Sequence, residues 1–73
     1  MEKGTPCILK VLSTQDVYPD VRANKDILKG MKEGDILKAQ YELSASATSE
    51  DCFWVDKYFC YIYFPKGSVQ IIE

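Results

Sequence analysis

Residues 52–64, Cys52-Phe53-Trp54-Val55-Asp56-Lys57-Tyr58-Phe59-Cys60-Tyr61-Ile62-Tyr63-Phe64, decide the fold. They hold the only tryptophan, all three phenylalanines and three of the five tyrosines. Stiff or bulky side chains at this density suit a pleated surface, because their χ1 rotamers crowd the preceding turn of a helix. The stretch therefore reads as a β-hairpin. Successive side chains of a strand point to opposite faces, so pairing can be argued from parity. Val55 and Ile62 are the most obligate core residues, and a connection with an even number of residues lets them share a face. A two-residue loop at Lys57-Tyr58 places Val55 opposite Cys60 and Phe53 opposite Ile62. The other face then carries Trp54 opposite Tyr61 and Cys52 opposite Tyr63, with Asp56 beside them. A loop at Asp56-Lys57 keeps the same faces, and no Asn-Gly or Asp-Gly pair selects between the two. One face becomes core; the other is an aromatic stripe that meets water.

The same parity separates Cys52 from Cys60, which argues against a disulfide across the hairpin. With Cys7 far away in sequence, three free thiols are expected. No histidine is present to complete a metal site or to activate a cysteine. Cys60 is expected to face the core, where a thiol is inert. Glu50-Asp51 reads as solvated loop charge rather than a catalytic pair, and no glycine-rich loop precedes a helix to cradle phosphate. No catalytic residue, metal or cofactor is assigned, and the chain reads as a non-enzyme.

At 73 residues the chain supports a single domain, 1–73, which buries about 60% of its unfolded surface. A net charge of −2 with Arg22 as the lone arginine argues against nucleic acid as the partner. No apolar run reaches the roughly 20 residues that span a bilayer, and the Met1-Glu2-Lys3-Gly4-Thr5-Pro6 start has no apolar leader. These features point away from membranes and to a cytoplasmic protein; a segment cut from an exported protein would belong instead to the cell envelope.

Outward from the hairpin, Cys7 to Leu12 reads as a first strand with either side available for burial. Ser13 to Lys25 is rich in turn formers and reads as an irregular loop. Asp26 to Met31 reads as a short strand, and Lys32-Glu33-Gly34-Asp35 as a turn whose glycine takes positive φ. Ile36 to Leu43 alternates cleanly: Leu37, Ala39, Tyr41 and Leu43 on one face, Lys38, Gln40 and Glu42 on the other. Ser44 to Asp51 is small and polar, a mobile hairpin loop. Pro65-Lys66-Gly67-Ser68 is a turn, and Val69 to Ile72 a last strand. The expected core is Leu37, Ala39, Val55, Ile62 and Val69 or Ile71. Short strands, closely spaced and without a helical apolar face, indicate an all-β protein, a small five-stranded barrel.

Taken in order, these segments resemble SH3 domains, most closely bacterial SH3 (SH3b) domains, over residues 14 to 72. Ile27 to Leu37 is similar to the family's apolar strand followed by a Lys/Glu-Gly-Asp turn. Val17-Tyr18-Pro19-Asp20 sits where SH3b domains carry a Val-Arg-x-Gly-Pro-like loop. Phe53-Trp54-Val55 resembles the aromatic strand, Cys60-Tyr61-Ile62 the Gly-Trp-Val or Gly-Tyr-Ile step, and Phe64 to Val69 the proline turn and final strand. The chain departs from the pattern at Tyr18, where the family has arginine, and at Cys60, where it has glycine. The acidic cluster with which eukaryotic SH3 domains pair to arginine in proline-rich ligands is also missing, with only Asp16 and Asp20 nearby.

The resemblance implies an SH3-like barrel that binds a ligand between its long first loop and its aromatic strand. The residues themselves point the same way, because Tyr and Trp give large, rigid contact area at low entropic cost. Tyr18, Trp54, Tyr61 and Tyr63 are therefore the candidate ligand-binding residues. The expected function is a binding module for a peptide or protein surface, acting as a small inhibitor or adaptor; the same face also suits self-association. Two alternatives stay open: a cell-wall (peptidoglycan peptide) binder of the SH3b type, and a Tudor- or KOW-like binder of nucleic acid or modified residues. Against these stands the bland reading, in which some of the rings only cap the open ends of a small core.

Overall fold

The computed structural model describes residues 4–47 and 49–73, and of Lys25 the backbone alone. Six strands form one antiparallel sheet: β1 (Pro6–Val11), β2 (Tyr18–Pro19), β3 (Ile36–Tyr41), β4 (Glu50–Val55), β5 (Cys60–Pro65) and β6 (Val69–Ile71). Their spatial order is β2-β5-β4-β3-β1-β6, so the sheet has two ends and is not closed by hydrogen bonds into a barrel. The all-β expectation holds, with two 3₁₀ helices and no α-helix among the described residues. Among the described residues the strand count is six rather than five.

Of the two registers that parity allows, the deciding hairpin takes the one centred on Lys57-Tyr58: Val55 faces Cys60, Trp54 faces Tyr61, Phe53 faces Ile62 and Cys52 faces Tyr63. Its connection differs. Asp56 to Phe59 form a four-residue turn in which the Tyr58 and Phe59 amides both donate to the Val55 carbonyl, at 3.2 and 3.0 Å. A two-residue turn of the favoured kind needs positive φ at Lys57, or at both Lys57 and Tyr58. The chain instead places one residue, Phe59, in the left-handed region at φ 54°.

The inward residues of β1, β3, β4 and β5 pack into one cluster containing Leu9, Val11, Leu37, Ala39, Phe53, Val55, Ile62 and Phe64. The side of β1 left open by the sequence is settled in favour of Cys7, Leu9 and Val11. Phe53 centres the aromatic part, edge-on to Phe64 at 5.9 Å and to Tyr41 at 5.4 Å. Of the expected core, Val69 is only half-buried against the cluster and Ile71 is exposed, because β6 is a three-residue strand at one edge of the sheet.

Further expectations are corrected. Lys25–Gly30 is a 3₁₀ helix, not a strand. A three-residue repeat puts Leu28 and Met31 on one side, where both meet the core, whereas strand parity would separate them. Asn24 caps its start by accepting the Asp26 amide at 2.9 Å. Leu43 is exposed, since β3 ends at Tyr41 and Leu43–Ala45 turns as a second 3₁₀ helix. The polar connection after it is built rather than loose: the Ser46 hydroxyl donates to the Glu42 carbonyl and accepts the Cys52 amide, at 2.8 and 2.9 Å. Glu50 and Asp51 belong to β4, and Thr48 lies outside the described residues. Cys52, expected on the water-facing stripe, is fully buried where this connection folds against β4.

The two expected turns form. Gly34 takes φ 93°, with the Asp35 amide donating to Lys32, and Gly67 takes φ 86°, with the Ser68 amide donating to Pro65. The second turn returns the chain so that β6 pairs with β1.

Candidate functional site: an aromatic outer face

Four rings stand on the outer side of β2, β5 and β4. Tyr18 and Tyr63 are register partners and stack nearly parallel, centroids 4.9 Å apart and planes 13° from one another. Trp54 and Tyr61 are register partners one step along, edge to face at 5.0 Å and 74°. All four positions expected from the sequence are thus brought onto one surface. Tyr18 is 43% exposed and the other three are half-buried. The rings neither enter the core cluster nor stand free of the sheet.

The long first loop reaches this surface because β2 pairs with β5. The Asp20 amide donates to the Tyr61 carbonyl at 2.8 Å, carrying the loop past Pro19 and over the hairpin. Beyond it Asp20 holds Arg22 through the amide (3.1 Å) and the guanidinium (3.0 Å). These bonds keep the Asp20 carboxyl below its ordinary range and raise the Arg22 guanidinium. At the other end of the stripe the Tyr18 hydroxyl donates to Glu50 at 2.7 Å. That bond, then burial and the Glu50 charge, push the phenol up to about 12. Asp51 accepts the Lys66 ammonium at 2.7 Å.

The Trp54–Tyr61 pair is a ridge between hollows. On one side lies a groove of about 410 Å³ lined by Asp20, Arg22, Ala23, Phe59 and Cys60 with the two ridge residues. On the other is a hollow of about 290 Å³ with Gly4, Gln40, Tyr41 and Glu42 on its walls. These volumes lie around the bottom of the range for small-molecule pockets, and both hollows are open. Each has room for a single side chain.

Sequence reasoning missed Phe59, Asp20 and Arg22 as members of this surface. Phe59 is 81% exposed and edge-on to Trp54 at 6.3 Å. The expected hairpin register already set it opposite Asp56, on the Trp54 face, so parity could have found it. No local pattern marks Arg22, whose position depends on the path of the whole loop.

Chemically the face offers contact area and hydrogen bonds but no reactive group. Cys52 is pushed up to about 11 chiefly by burial, and burial raises Cys7 and Cys60 as well. All three cysteines are free, and among the described residues no three potential ligands gather in a way that could hold a metal ion. No described helix is long and apolar enough to cross a membrane. Comparisons with protein-family models, with curated proteins and with solved structures returned no match.

Proposed function

We propose that this chain is a non-enzymatic binding module that recognises a peptide or protein surface through its aromatic outer face, as an adaptor or a small inhibitor. The observation that carries the reading is the Trp54–Tyr61 ridge with an open hollow on each side. A large aromatic pair outside the core contributes little to a 73-residue fold compared with what it can contribute to an interface, where such residues are the usual hot spots.

An SH3-like architecture is part of the proposal. Supporting it, four of the segments that suggest the family lie in order along the chain: the Gly34 turn leads into β3, Phe53-Trp54-Val55 lies in β4, Cys60-Tyr61-Ile62 in β5, and the Pro65 turn leads into β6, whereas the expected apolar strand before Gly34 is a 3₁₀ helix. The loop carrying Tyr18 lies against the aromatic strands, which is where that family takes its ligands. Capture of cytosolic partners by the wild type, Trp54→Ala and Lys10→Ala tests the reading. A partner lost with Trp54→Ala and kept with Lys10→Ala is the expected result; equal capture by all three removes the proposed site.

A further inference from the structure

The hairpin tip carries a cost that the fold does not require. Phe59 sits at φ 54°, where an L side chain crowds the carbonyl and glycine does not. It also presents most of its ring to water. Beside it lies the groove of about 410 Å³ whose wall it shares with Trp54. One patch thus holds both an exposed apolar knob and a hollow large enough for an aromatic side chain.

Charge on the same patch is self-complementary. Asp20 and Arg22 line the groove as an ion pair at 3.0 Å, with Arg22 82% exposed and Asp20 15%. A guanidinium has five donors, so the bond to Asp20 leaves Arg22 able to reach a second carboxylate. A two-fold axis through such a patch sets each positive end against a negative end of the copy. It likewise sets each knob against a hollow, which is the condition for an isologous contact.

We infer that two copies of the chain meet through this face, Phe59 of each entering the groove beside Trp54 of the other, with the two Asp20–Arg22 pairs apposed across the axis. The inference rests on the proposed binding face and adds a regulation to it: a copy and a foreign partner compete for one groove. Asp20, Arg22, Trp54 and Phe59 carry the contact, few beside the roughly 20–30 residues a side of a standard interface, so the dimer is weak, with a midpoint on the order of 100 µM.

Sedimentation equilibrium from about 10 µM to about 1 mM tests the inference. The wild type should pass from monomer to dimer across this range. Phe59→Gly should stay monomeric and folded, because glycine accepts the left-handed conformation and so offsets the lost ring contact with Trp54. Arg22→Asp and Asp20→Arg should each be monomeric alone and form a heterodimer when mixed, their folds checked by circular dichroism. A wild type that remains monomeric to about 1 mM overturns the inference, as does a Phe59→Gly protein that dimerises like wild type. Folded charge variants that do not pair when mixed overturn it too. None of these outcomes touches the binding reading, which fails separately, if partner capture is indifferent to Trp54.

Discussion

Tyr18 shows how one hydrogen bond sets the chemistry of a surface residue. Its hydroxyl donates to Glu50, and a donor held by a carboxylate resists losing its proton. The folded-state value, about 12, lies above the ordinary 10.0 of a tyrosine. Whatever stability the bond contributes is therefore fully present below about pH 10 and lost as pH rises through about 12. In an ultraviolet titration of the folded protein Tyr18 should ionise late, and Glu50→Gln should bring it back toward its ordinary value. An unchanged titration in that variant would mean the bond does not form in solution. In the sequence Glu50 reads as solvated loop charge. Its partner lies 32 residues away and becomes a neighbour only when β2 pairs with β5, a contact that no local pattern records.

At the scale of the element, the β4–β5 hairpin was legible because alternation is a strict period and its two faces differ in composition. The buried Val55 and Ile62 and the outward Trp54 and Tyr61 follow from parity alone, whereas the choice between the two registers does not. Removing atoms on the inward side leaves a cavity that close-packed neighbours fill only in part. Ile62→Ala should therefore cost about 2–4 kcal/mol, and Val55→Ala somewhat less. For a domain with about 3–5 kcal/mol in total, urea melts should show Ile62→Ala at the edge of unfolding. Midpoints equal to wild type for both would contradict the packing. Elsewhere the period misled. In Asp26 to Met31 the apolar residues at 27, 28 and 31 suit a strand and a 3₁₀ turn about equally, and only contact with the core selects the latter. Cys52 obeys parity yet is buried, because a neighbouring turn folds over its side of the sheet.

For the whole molecule the same burial orders its thiols. Cys7 and Cys52 are sealed while Cys60 is half-buried, and all three are raised above the ordinary thiol value by burial. A thiol reagent at neutral pH should modify Cys60 first, with Cys7 and Cys52 protected until the sheet opens; peptide mapping after a short pulse reads this directly, and early labelling of Cys52 would contradict the covered outer side of β4. The larger division is between an inner cluster that forms the core and an outer aromatic face that lies outside it and is proposed for binding. The measurement that tests this most directly compares Trp54→Ala with wild type for both thermal stability and affinity for a captured partner. The lost ring contacts with Tyr61 and Phe59 should cost about 1–2 kcal/mol of stability, leaving the protein folded. Binding should weaken by about 2 kcal/mol or more, roughly 30-fold. A Trp54→Ala protein that unfolds, or one that binds as wild type does, would show that Trp54 serves the fold rather than a partner.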